Sequence, residues 1–202
     1  KKDTESQLRA KLVTALVEQT EALANKGLKV IGIMVNRVAT ARAVHAALEA
    51  KGRAPLLLIG RMRPFDRDIV QHSEEFEQLL ADKSEKRELD APVFVVATQT
   101  LEVGANLDFD GLVSECASLD AVRQRFGRLN RMGRKIPAEG VLVIRADDAD
   151  IKLRAKDKKP DPVYGEAMAK TWQWLMNDLP AMDEKPAKGK GKGAKKSKVT
   201  KG

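Results

Sequence analysis

At 202 residues, with 43% apolar side chains and no uninterrupted apolar run near the ~20 residues that a bilayer-crossing helix needs, the chain has the make-up of one soluble domain with an appendage. A single cysteine, Cys116, and two histidines, His45 and His72, exclude an internal disulfide and a zinc site of the usual four Cys/His ligands. The net charge of +8 misleads as a sign of nucleic-acid binding: eight of the 37 basic residues fall in 185–202, and 29 remain against 29 acids elsewhere.

The chain opens on a charged helical pattern without the apolar core of a secretory signal, as expected of a cytosolic protein or an internal fragment. Residues 4–24 place Leu8, Leu12, Leu16 and Leu23 near one face of a helix, which Asn25-Lys26-Gly27 ends. Strand and helix then alternate. Short apolar, partly β-branched runs at 30–35, 55–59, 92–97, 111–115 and 141–144 read as strands buried on both faces. Helices are predicted at 39–50, 64–81, 118–129 and 163–179, with 82–90 as a charged surface loop. The alternation predicts an α/β fold with a mostly parallel sheet and helices on both faces. This body spans 1–180. From 181 to 202 the Lys, Gly, Ala and Ser content is too poor in apolar side chains to offset the entropy of ordering, which predicts a disordered basic tail.

Two segments carry the chemistry. Thr98 through Asp108 follows a buried strand and brings a hydroxyl, a backbone bend at Gly104 and short polar side chains to the carboxyl edge of the sheet, where open α/β folds bind ligands. About fifteen residues later, Gln124, Arg128 and Arg131 stand at spacings of four and three, which one helix face can present together. Guanidinium forks match phosphate oxygens and do not deprotonate. Alone, such a run would read as a solvated basic face. The ordered pair of segments argues against that.

These segments resemble motifs V and VI of superfamily 2 helicases, the second in the form Q-x-x-G-R-x-x-R. The resemblance implies that Thr98 contacts the phosphate backbone of a bound strand and that Gly104 and Asn106 approach the nucleotide ribose. Asn106 stands where many such helicases carry Asp, so its contact would be a neutral hydrogen bond. It further implies that Gln124 lies near the γ-phosphate and that Arg128 and Arg131 are arginine fingers. Upstream, Ile33 to Val38 resembles motif IV, and Arg61, followed by Asp66-Arg67, resembles a strand-contacting segment of the type I CRISPR-associated helicase-nuclease. Arg61, Asn36 and Arg37 are thereby candidate nucleic-acid contacts, although a strand-end cap and a surface arginine account equally well for the last two.

The Glu102–Glu115 stretch, Arg128-Leu129-Asn130-Arg131 and the Trp172-Gln173-Trp174 helix narrow the resemblance to that CRISPR family over about 28–178. It implies a RecA-like three-layer lobe that works with a first RecA-like lobe and a nuclease domain. It also implies single-stranded DNA and a CRISPR effector complex as partners, a cytoplasmic setting without membrane attachment, and ATP with magnesium as cofactors of the complete enzyme. A lobe of another DNA or RNA helicase, or a non-catalytic RecA-like nucleic-acid-binding module, is the alternative. Trp172 and Trp174 are better suited to packing their helix than to stacking bases. No Gly-Lys-Ser or Gly-Lys-Thr of a P-loop occurs, so this lobe alone should hold no nucleotide productively. Asp147-Asp148-Ala149-Asp150 resembles a magnesium motif but follows the arginine segment, and reads as a solvated acidic turn.

Overall fold

The computed structural model describes residues 3–60, 74–99, 106–150, 161 and 163–178. Arg61, Gly104, His72, most of the predicted 64–81 helix and the predicted tail lie outside them.

Helix α1 (Glu5–Asn25) starts at a capping box, in which the Thr4 hydroxyl accepts from the Gln7 amide and the Gln7 side chain answers the Thr4 amide. It stops where Gly27 takes φ +88°, a left-handed turn that suits glycine. Strand β1 (Val30–Met34), helix α2 (Val38–Glu49) and strand β2 (Leu56–Leu58) follow. A single helical turn, α3 (Glu74–Glu77), and a 3-10 turn (Ala81–Lys86) lead to β3 (Val93–Ala97). Then come β4 (Gly111–Glu115), α4 (Leu119–Phe126), β5 (Glu139–Val143), the short α5 (Ala146–Ala149) and α6 (Ala167–Asp178).

The five strands form one parallel sheet in the order β2-β3-β1-β4-β5. Its central strand shows why the apolar runs are continuous. Ile31, Ile33 and Val35 join Leu12, Leu16, Leu23, Val44 and Leu48 of α1 and α2 in one core layer. Val30 and Met34 join Phe76, Leu79, Phe109 and Leu112 in the other. A strand covered on both faces needs apolar residues at every position. Gly32 falls on the second face, where a Cβ would stand 3.0 Å from the Phe109 ring. The predicted alternation and parallel sheet are thus observed, and no described helix is long and apolar enough to cross a membrane.

Three local expectations are corrected. The 118–129 helix ends at Phe126, and Arg128 and Arg131 lie in the turn beyond it. The acidic 147–148 pair is not solvated: both residues are 8% exposed in α5, where the Arg145 guanidinium meets Asp147 at 3.0 Å and Asp148 at 3.4 Å. Arg145 also reaches Glu5 at the start of α1 through two hydrogen bonds of 2.7 and 3.0 Å. The charged 82–90 stretch is no loose loop either, since it forms the 3-10 turn and then buries Arg87, whose side chain is 3% exposed. His45 is structural, with Nε2 3.0 Å from the Pro55 carbonyl. Trp172 is half-buried as expected of a packing residue, whereas Trp174 is 44% exposed and α6 docks instead through Met168, Ala169 and Thr171.

Candidate functional site

The described candidates divide between the two edges of the sheet. At the carboxyl edge, Asn36 follows β1, Thr98 follows β3, and Glu115 ends β4 with Cys116 just beyond it. Asn36 is 8% exposed, and both ends of its amide serve the interior. Its Nδ2 donates to the Cys116 carbonyl at 2.8 Å, and its Oδ1 accepts from Arg125 at 3.0 Å. The strand-end cap is therefore the role visible for Asn36. Arg37, at the N-cap of α2, is 48% exposed at its side chain and pairs with Asp161 at 2.5 Å. Thr98 is 7% exposed, and its amide donates to the Leu58 carbonyl at 3.2 Å. Beside it, the Gln99 side-chain Nε2 donates to the Tyr164 hydroxyl.

Arg125 joins these pieces. It is fully buried, donating to Ser114 Oγ (3.2 Å), the Glu115 carbonyl (2.9 Å), Asn36 Oδ1 and the Tyr164 hydroxyl (3.3 Å). One guanidinium thus pins α4 to the ends of β1 and β4 and to the segment before α6. Sequence reasoning missed it, since the motif spacing drew attention to Gln124, Arg128 and Arg131. Burial, above all, raises the Glu115 carboxyl above its ordinary range, against the Asn36 amide it accepts and the nearby Arg125 charge.

The arginine segment returns to the amino edge. The Phe109 amide donates to the Arg128 carbonyl at 2.9 Å and the Asn130 amide to the Phe109 carbonyl at 2.8 Å, just before β4 begins. Asn130 takes φ 42°, and its side chain brackets Arg134 through bonds of 2.8 and 3.0 Å. Asp108, with no exposed surface, fixes the turn by accepting from the Arg131 amide at 2.6 Å and from Arg134 Nε at 2.8 Å. Gln124 and Arg131 remain exposed, while Arg128 is 6% exposed. Asn106 is exposed, with its carbonyl accepting from the Ala81 amide at 2.7 Å. The structure therefore holds Arg128 and Arg131 in a turn against Asp108 and Phe109 at the amino edge, keeps Gln124 exposed on α4, and leaves Thr98, Asn36 and Arg37 at the opposite edge. The buried Asp108 and Asp110 pair was a missed signal: two acids flanking an apolar residue, at the mouth of a strand covered on both faces, must find cations inside.

Residues 27–134, more than half of the chain, match the family model described as CRISPR-associated nuclease/helicase Cas3, C-terminal. The chain belongs to this Cas3 family. A protein of Methanocaldococcus jannaschii, provisionally named CRISPR-associated nuclease/helicase Cas3, is 28% identical over 134 residues, which is 66% of this chain and 17% of that protein. The crystal structure of T. fusca Cas3 with ATP superposes with a TM-score of 0.54 at 22% identity, over 81% of this chain and 18% of that one. The C-terminal domain of the DEAD-box protein Dbp5 gives 0.50 at 16% identity, over 85% and 81%. These likenesses show the fold alone, a RecA-like α/β domain, and the chain spans only 17% of the curated Cas3 relative's length. Every candidate site residue falls inside the Cas3-matched span, whereas α6 and Tyr164 lie beyond it.

Proposed function

We propose that this chain is the C-terminal motor lobe of an ATP-dependent superfamily 2 DNA helicase or translocase acting in CRISPR interference. The observation that carries the reading is the Gly127–Arg131 turn in a Cas3-family chain, anchored on buried Asp108 through the Arg131 amide, with the Arg131 and Gln124 side chains both exposed. The donor set fits a nucleotide phosphate through Arg131 and Gln124. Arg128 is 6% exposed and so is not part of that exposed pair.

ATP with magnesium, bound between this lobe and a first RecA-like lobe, would supply the cleavable phosphoanhydride. The lobe's own residues supply charge and position: Arg131 offers a permanent cation to phosphate oxygens, and Gln124 offers a neutral amide beside it. Thr98 and Arg37 at the carboxyl edge, with Arg61, provide the track for single-stranded DNA, and Gly104 and Asn106 the ribose contacts. The first lobe, a nuclease domain and a CRISPR effector complex are the partners this reading implies, in the cytoplasm. Lacking a P-loop, the chain alone is inactive.

In the complete protein, Arg131→Ala should leave ATP affinity near wild type while lowering DNA-stimulated hydrolysis, by up to about 10³-fold. Thr98→Ala should instead raise the DNA concentration needed for half-stimulation, with basal hydrolysis little changed. Nucleotide affinity, basal turnover and DNA-dependent turnover are measured separately. Equal losses of DNA affinity in both variants, with hydrolysis per bound complex preserved, would place Arg131 on the track and overturn the assignment.

A further inference from the structure

The residues leading into α6 return to the carboxyl edge of the sheet and meet the candidate strand contacts there. Met168 Sδ accepts from Asn36 Nδ2 at 3.7 Å, and the Tyr164 hydroxyl meets Arg125 and Gln99, the neighbour of Thr98. A third contact joins opposite charges: Asp161 Oδ2 accepts from Arg37 Nη2 at 2.5 Å. Asp161 lies beyond the Cas3-matched residues 27–134, while Arg37 lies within them.

The two partners are unlike. Asp161 is a fixture of its own turn, with Oδ1 accepting from the Val163 and Tyr164 amides at 2.9 and 3.0 Å and its carbonyl accepting from the Gly165 amide at 2.8 Å. Gly165 closes that turn at φ +56°, in the left-handed region that suits glycine. The Asp161 side chain is 7% exposed, whereas that of Arg37 is 48% exposed. Among the described residues, Nη2 is the one Arg37 guanidinium nitrogen that meets an acceptor. Arg37 is also the N-cap of α2, whose first turn holds no acidic side chain. A guanidinium at the positive end of a helix favours an anion, and the anion in place is a carboxylate of the chain itself. At this separation the pair cancels most of the field that an approaching phosphate would feel, so Arg37 adds little attraction despite its exposure.

We propose that Asp161 sets the affinity of this edge for single-stranded DNA: its carboxylate takes the place of a strand phosphate on Arg37 and must be displaced before Arg37 grips the strand. The proposal rests on the reading of the carboxyl edge as a strand track and adds to it a built-in competitor. Displacement leaves Asp161 Oδ1 on its two amides, so the competitor is weak enough to yield.

The test measures binding of a fluorescent oligothymidylate to the full chain by anisotropy over a range of salt. The lysines of 185–202 are common to every variant, so differences report the body. Asp161→Asn keeps an oxygen for the two amides but not the charge. It should tighten binding about fivefold at low salt and steepen the fall of log affinity with log salt by about 0.7, as for one more phosphate neutralised on a single strand. A residue that only held its turn would weaken binding or leave it unchanged when replaced. In an Arg37→Ala background the same substitution should give no more gain than Glu166→Gln, which removes an equal charge from an exposed position nearby. Asp161→Ser, whose hydroxyl can accept from the same amides, repeats the measurement should Asp161→Asn fold poorly. Unchanged or weaker binding on neutralising Asp161, or an equal gain with and without Arg37, overturns the competitor. Thr98→Ala tells that failure from failure of the track. Weaker binding in Thr98→Ala with no gain in Asp161→Asn sinks the competitor alone, and no change in either variant sinks both.

Discussion

Among the described residues Arg125 is the largest side chain with no exposed surface, and it sits three residues before Arg128 in the same motif. Nothing local separates a guanidinium that faces solvent from one that holds the interior together. What decides is an acceptor set assembled from afar, with Asn36 lying 89 residues upstream and Tyr164 lying 39 downstream. Arg125→Met would leave Asn36 Oδ1 and Ser114 Oγ buried without this donor, and the Glu115 carbonyl with Ser114 Oγ in place of two donors, and should cost about 3 kcal/mol in urea unfolding. Arg123→Ala, on the exposed face of the same helix, should stay within about 0.5 kcal/mol. The comparison separates loss of the buried network from loss of a positive charge in α4. It also shows what was legible: the candidate residues could be found from motif spacing, but not their burial. Asn36 and Arg128 are buried, while Gln124 and Arg131 are exposed.

Among the elements, the strands were read most closely, because Val, Ile and Leu in unbroken runs have few places to go but a sheet covered on both sides. The helix carrying the arginine segment was drawn too long: spacings of three and four suit a helix face, but Asn130 in the left-handed region and the Asp108 anchor turn the chain there instead. The buried acids of α5 escaped for a similar reason, since their partner Arg145 is clamped by Glu5, 140 residues away. Asp161 offers a pH test of how the terminal helix is held. Burial opposes its ionisation, but the Arg37 guanidinium and the Val163 and Tyr164 amides (2.9 and 3.0 Å) together depress its pKa below the ordinary value. A carboxyl depressed on folding contributes stability that is present above the unfolded aspartate pKa, about 3.9, and lost as pH falls through the lower folded value. Asp161→Asn should therefore melt lower than wild type at neutral pH and lose less on acidification through that window. Parallel melting-temperature profiles would count against the pairing.

For the molecule as a whole, a charge-balanced body is followed by eight lysines in the last eighteen residues of the chain. Deleting 185–202 should weaken low-salt nucleic-acid binding and flatten its salt dependence, since diffuse lysine–phosphate attraction is sequence-independent. Unchanged affinity and slope would show that the body has its own basic track. The strand order carries a consequence for how the lobe is made. Strand β2 pairs only with β3, and β1 only with β3 and β4, so the first two strands never touch as partners. A nascent chain that has emerged as far as residue 90 holds α1, β1, α2 and β2, yet cannot close one ladder of its sheet. The apolar faces of β1 and β2 must wait, exposed, for residues 93–97 to thread between them. Such non-local pairing is slow and leaves an aggregation-prone interval. Arrested nascent chains ending before residue 93 should be protease-sensitive in β1, and those long enough to expose residue 115 should not.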